Sequence, residues 1–369
     1  MRLVLTQEQE ELQATVRRFL AECSPVSRVR EVMGSGDGYD RVTWERMAGE
    51  LGLPGMVVPE EHGGAGLGHV ELSVVMEELG RALTPSPFLA SAVLAASALL
   101  ATDDEEARRD LLPGVAAGTT IATLAVAEHG SWDLPAIRTR ASLNDGAWFL
   151  TGIKTLVPDG RRADLVLVAA RAGDEVALFA VKGGAPGMVS ADLSTLDPTR
   201  PLANLELLGV PARRLVCENG AGALAHALDL AAVALAAEQL GGLQRCLDMS
   251  VDYAGSRYQF GRAIGSFQAI KHLCADMHVA MELARSAVRY AAWAADAAPG
   301  ELPVAAPLAR FACSEAFFRV AADTIQVHGG IGFTWEHDAH LYYRRAKSTE
   351  LLLGGPAQQR AQLAARLEI

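Results

Sequence analysis

Two breaks in otherwise helical sequence carry residue types suited to holding a phosphate. In SRYQFGRAIGSFQAIKH (256–272), Arg257 ends one helical stretch, and Gly261 and Gly265 let the chain turn into the next. The planar guanidinium fork makes bidentate, charge-assisted bonds to phosphate. The plainer role for Arg257 is to cap the negative end of its own helix. In DTIQVHGGIGFTWEHDAH (323–340), a helix stops at Gly329-Gly330, just after Gln326. Glycines let backbone N–H groups close on an anion, although Gly-Gly is also an ordinary helix stop. His328, His337 and His340 lack an i,i+4 pair with an acidic partner, so a metal site is not expected.

Those breaks need long helices to hold them. Ser266 is placed to cap a helix running to about Ala297. Its apolar seam, Phe267, Ile270, Cys274, Met277, Met281, Ala284, Val288 and Ala291, alternates three and four apart, as in a packed bundle. Residues 1–117 are also helical in pattern. Thr6 caps a first helix with Leu12, Val16 and Phe19 on one face, and another helix is expected from about His69 to Arg81. Between them, 118–219 turns strand-like: TIATLAVAE, TRASL, AWFLTGIK, DLVLVAAR and EVALFAV are short β-rich runs with turn residues between. The expected fold is α+β, mainly α: an N-terminal helical domain (1–117), a central antiparallel β-domain (118–219) and a C-terminal four-helix bundle (220–369).

A net charge of −11 argues against nucleic acid or an anionic membrane as the main partner. The apolar run 89–100 is too short to span a bilayer, and 228–243 carries Asp229 and Glu238, so both read as buried helices. The N-terminus lacks a signal-peptide core. Five scattered cysteines without a C-x-x-C pair read as free thiols of a reducing cytoplasm.

The helix–strand–helix order, together with VVPEEHGGAGLG, RYQFGRAIGSFQAIKH and QVHGGIGFTWEHD, resembles the acyl-CoA dehydrogenase family over nearly the whole chain. The resemblance implies FAD as cofactor, an acyl-CoA thioester as substrate, a tetramer, and an electron-transfer flavoprotein as acceptor. It also implies that Arg257 and Gln268 contact the pyrophosphate and adenosine side of a neighbouring subunit's FAD. Gln326, Gly329 and Gly330 would hold the ADP portion, and Phe260 would pack against the cofactor or the helix end.

The catalytic base is where the sequence departs. Many members carry a glutamate in a loop before the last helix; here that position aligns with Leu353, or with Gly354 after a one-residue shift. The other family location, on the first bundle helix, aligns with Ala231. None of the three takes a proton. Glu350 and Glu238 are the nearby carboxylates, and Glu238 reads as structural. In the β-domain, AVAEHGSWD matches the flavin- and substrate-lining element only loosely, at Glu128, Ser131 and Asp133. Leu156 replaces a flavin-stacking aromatic, and Pro158 replaces a hydroxyl donor.

The pattern is similar to that of actinobacterial two-gene enzymes acting on bulky substrates such as steroid side-chain thioesters. Three readings follow: a dehydrogenase subunit whose partner supplies the base, a self-sufficient homo-oligomer with an unorthodox base, and a non-catalytic acyl-CoA or partner-binding protein.

Overall fold

The computed structural model describes residues 3–369. In chain order, the first helices are α1 (Gln7–Cys23), α2 (Val26–Gly34), α3 (Arg41–Gly49), α4 (His69–Ala82), α5 (Ala96–Leu100) and α6 (Glu105–Ala116). A wide π-helical turn, Leu89–Ala95, leads into α5. As expected, Thr6 caps α1, and it does so in a full capping box: its hydroxyl accepts from Gln9 N–H and the Gln9 side chain accepts from Thr6 N–H. The helix expected over 69–81 ends one residue later. Its first N–H groups, on His69 and Val70, donate to the Asp296 carboxylate at 2.7 and 2.9 Å.

Seven strands follow: β1 (Ala122–Ala125), β2 (Arg140–Asn144), β3 (Ala147–Pro158), β4 (Leu165–Ala172), β5 (Glu175–Lys182), β6 (Met188–Asp192) and β7 (Leu202–Arg214). The ladder β4-β2-β3-β7-β5 returns to β4, so the sheet closes on itself, with β1 added to β4 and β6 to β7. Leu150, Val166, Val168, Phe179, Leu205 and Leu207 form the interior, while β1, β4 and the middle of β5 are buried on both faces. The antiparallel expectation holds for every pairing except β1–β4 and β2–β4, which are parallel.

The rest is helical apart from one hairpin: α7 (Gly220–Ser256), β8 (Tyr258–Gln259), β9 (Arg262–Ala263), α8 (Gln268–Ala297), α9 (Leu302–His328), α10 (Ala339–Leu351) and α11 (Pro356–Arg366). α7 is long and apolar enough to cross a membrane by composition, but 61% of its most apolar window is buried within the chain. Ser266 does not cap α8. It lies in a 3₁₀ turn, Ile264–Ser266, where its hydroxyl donates to the Ala263 carbonyl, and α8 starts two residues later behind Phe267. The predicted α8 seam is buried from Met277 onward, whereas Phe267, Ile270 and Cys274 remain half-buried.

The chain packs as two compact units. One draws on residues 3–31, 69–84 and 232–369; the other on 32–68 and 85–231. In the first, α4 and α7 cross backbone against backbone. A Cβ on Gly80 would lie 1.9 Å from the Glu238 carbonyl oxygen, and one on Gly241 would lie 1.7 Å from that of Glu77. The crossing requires glycine on both helices, and it seats Glu238 and Gln239 deep in the bundle.

Candidate functional site: an anion corner and a turn without a base

Arg257 follows directly on α7, its N–H donating to the Tyr253 carbonyl. The hairpin β8–β9 then turns through Phe260 and Gly261, both at positive φ. Arg257, Phe260 and Gln268 all lie exposed in this corner, and Phe260 packs edge-on against Phe267. Neither the Arg257 guanidinium nor the Gln268 side chain bonds to any of the described residues.

The second motif meets the first through an aromatic contact. Tyr253, near the end of α7, stacks on His328 at the end of α9, ring centroids 4.4 Å apart. His328 Nδ1–H donates to the Thr324 carbonyl at 2.7 Å, and the ring also packs on that of His337. Burial, with His337 nearby, keeps its pKa below the usual histidine range. Gln326 is exposed two residues before His328. Gly329 follows at φ 61°, ψ −139°, a conformation a side chain would resist, and a Cβ on either Gly329 or Gly330 would meet nothing within 4 Å. Arginine and two side-chain amides form a donor set suited to a pyrophosphate, and the exposed Gly329-Gly330 backbone leaves room for an anion, although Gly329 N–H itself donates to the Ile325 and Gln326 carbonyls.

The turn after α10 is built differently. Leu353 is buried and left-handed, φ 59°, and Gly354 follows at φ 93°. A left-handed leucine costs roughly 1–2 kcal/mol, so its surroundings must hold it. Arg310, fully buried on α9, donates to the carbonyls of Thr349 and Leu352, and Gln359 donates to that of Leu353 at 2.8 Å. Gln239 accepts from Arg310 at 2.9 Å and donates to Thr349 Oγ1 at 3.1 Å. Sequence reasoning missed this clamp; an arginine inside the apolar stretch of α9 was the available signal.

Neither nearby carboxylate stands free over the turn. Glu238 is buried against Arg345 at 2.6 Å, and Glu350 pairs with Lys347 at 2.8 Å. Ala231 is fully buried.

Comparison with known proteins settles the family. Residues 6–119 match the model of the acyl-CoA dehydrogenase N-terminal domain, and 218–368 that of its C-terminal domain. The chain is 37% identical to acyl-CoA dehydrogenase IpdE2 of Mycobacterium tuberculosis over 352 residues, 95% of each chain. The chain belongs to the acyl-CoA dehydrogenase family. Two solved structures are also similar. One is a variant of the Tcur3481-Tcur3483 steroid ACAD (36% identity, TM-score 0.89, 98% of each chain). The other is the ChsE4-ChsE5 complex from Mycobacterium tuberculosis (31% identity, TM-score 0.91, 100% of this chain and 99% of that one).

Leu156 sits at φ 54° on β3, and the Pro158 carbonyl accepts from Thr123 Oγ1 at 2.6 Å. Glu128 faces inward: it accepts from Arg138 N–H, Thr139 N–H and Lys154 Nζ. Burial raises its carboxyl, but the bonds from Lys154 and Thr139 outweigh that and hold it below the usual range. Burial pushes Lys154 down to about 8 against the pull of Glu128. Ser131 forms a bridge with Glu128, and Asp133 is exposed.

Asp159, at the end of this element, is buried with Oδ1 unbonded. Burial pushes its carboxyl up to about 7, against the opposing pull of Arg162 and Arg200. Between about pH 4 and that value the folded state keeps a proton the unfolded chain has released. The resulting stabilisation is complete below pH 4 and is lost as pH rises through 7. Asp159→Asn, which cannot ionise, should therefore match the parent's stability near pH 4 and exceed it at pH 8, by on the order of a few kcal/mol. Thermal melts at the two pH values check this; equal gaps at both would refute it.

Proposed function

We propose that this chain is the base-lacking subunit of a hetero-oligomeric, FAD-dependent acyl-CoA dehydrogenase acting on a bulky, steroid-type acyl-CoA thioester. The observation that carries the reading is the turn at Leu353-Gly354: it is buried, strained and clamped, yet holds no carboxylate, and Ala231 offers none either. Glu238 is committed to Arg345, so its use as a base would break a buried ion pair. The likeness to the ChsE4-ChsE5 complex and to the Tcur3481-Tcur3483 steroid enzyme supports a heteromer and a steroid substrate.

In this reading Arg257 and Gln268 hold the pyrophosphate and adenosine side of the partner's FAD, while the Gln326 side chain and the exposed backbone at Gly329 and Gly330 hold its ADP portion. Phe260 covers the cofactor's edge. FAD held there would supply the hydride-accepting chemistry of an α,β-dehydrogenation of the thioester. The α-proton leaves to a carboxylate within hydrogen-bond reach, which the partner contributes. The product is a trans-2-enoyl-CoA, and an electron-transfer flavoprotein takes the electrons onward. Five free cysteines fit a cytoplasmic setting.

Because the ADP-binding edge and the isoalloxazine pocket belong to different chains, this chain produced alone should carry little flavin. Leu156 cannot offer a stacking ring, and Pro158 cannot donate. Flavin absorbance of the purified chain should be well below one FAD per chain and should rise on assembly with a homologue. One tightly bound FAD per chain in a homo-oligomer would reject the subunit reading in favour of self-sufficiency.

A further inference from the structure

The hairpin that follows Arg257 carries a second arginine. Gln259 and Arg262 are directly cross-strand partners, and Tyr258 pairs with Ala263. Ile264 N–H donates to the Arg257 carbonyl, extending the same register by one pair. Side chains alternate along a strand, so Arg257, Gln259 and Arg262 share one face of the hairpin, while Tyr258 and Ala263 share the other. Arg257 and Arg262 are thus diagonal neighbours, about 7–8 Å apart at the backbone and within reach of each other's long side chains.

Two features of this pair suit it to an anion. Both arginines are exposed, and neither forms an ion pair with any described residue, although the chain carries 44 acidic residues against 33 basic ones. Two like charges on one small surface repel and gain only when an anion lies between them. Arg262 is also held in place: its guanidinium lies over the Phe267 ring at 4.0 Å, and Phe267 in turn meets Phe260 edge-on. That stack fixes an otherwise floppy side chain before any ligand arrives. The third polar group on the face, the Gln259 amide, donates to the Tyr258 carbonyl, so the two guanidinium groups are its cationic donors.

We infer that Arg262 is a second ligand of the flavin diphosphate, with Phe267 as its pedestal, so that the two phosphates are gripped by Arg257 and Arg262 together. The inference rests on the proposal that this corner receives a neighbour's FAD. The test titrates FAD into the flavin-stripped oligomer of this chain with a base-carrying homologue, following flavin fluorescence, and repeats the titration with ADP as competitor.

Arg262→Ala should weaken FAD roughly 10–100-fold and weaken ADP competition in parallel. The salt dependence of binding should become shallower. Arg262→Lys, which keeps the charge without the fork, and Phe267→Leu, which keeps the arginine without its pedestal, should fall between. Loss of FAD affinity in Arg257→Ala but not in Arg262→Ala would overturn the inference and leave the flavin corner standing. Unchanged affinity in both would remove the corner itself. If Arg262→Ala lowers assembly, the Lys and Leu variants decide: a fall in oligomer mass with FAD affinity per oligomer unchanged makes Arg262 a protein contact and overturns the assignment.

Discussion

Offered a panel of acyl-CoA thioesters, steroid ones included, the isolated chain should leave an electron-accepting dye unreduced. General-base catalysis typically contributes about 10²–10⁴-fold, and a chain whose base turn holds Leu353 and Gly354 forgoes it. Addition of a larger homologue that carries the glutamate should restore turnover, because the arginine-bearing corner of this chain then completes a site whose base lies elsewhere. Glu350→Gln should not alter the restored rate, since that carboxylate is engaged by Lys347. Robust dye reduction by this chain alone, abolished by Glu350→Gln, would establish an unorthodox base and sink the subunit reading.

The second large effect concerns Glu238, the other carboxylate near the turn. Its pairing with Arg345 is almost wholly buried, with both side chains under 5% exposed. Removal of one member leaves an uncompensated charge in the bundle, at a cost of about 3–5 kcal/mol. Glu238→Gln and Arg345→Met alone should each lower the unfolding midpoint sharply. The double variant should recover much of the loss, because neither partner then leaves a buried charge unpaired. Denaturant unfolding of the four proteins closes the cycle. A Glu238→Gln chain of parental stability would mean the carboxylate is not held as an ion pair, and would return it to the candidates for a base.

Local signals in the sequence are legible. The Thr6 capping motif, the α4 limits and five of the seven strands need only neighbouring residues to be recognised. Two strands escape. β6 is only five residues long, and β7 contains Gly209 at φ 66° and Pro211, both of which argue against a strand interior. The sheet tolerates them next to the register shift at Leu150/Thr151. Ser266 misleads because its hydroxyl finds a nearer carbonyl than the helix N-terminus.

The partners that fix the candidate site are out of reach for a different reason. Glu238 meets Arg345 across 107 residues, and Arg310 meets Leu352 across 42. No local periodicity encodes such pairings. The absence of a carboxylate at Leu353 is visible from residue type alone; the left-handed, clamped backbone that carries it is not.

The make-up of the helical unit has a consequence for how the protein is born. Its pieces, 3–31, 69–84 and 232–369, leave the ribosome far apart in time. The apolar faces of α1 and α4, with Val16, Phe19 and Leu20 on one and Val74 and Val75 on the other, are made early. The helices that complete their packing are made last, whereas the closed β-sheet is encoded in one uninterrupted stretch. During synthesis the sheet can therefore close while the first helices still await α7 and α8, and that interval of uncovered apolar surface is when the nascent chain is most open to mispairing.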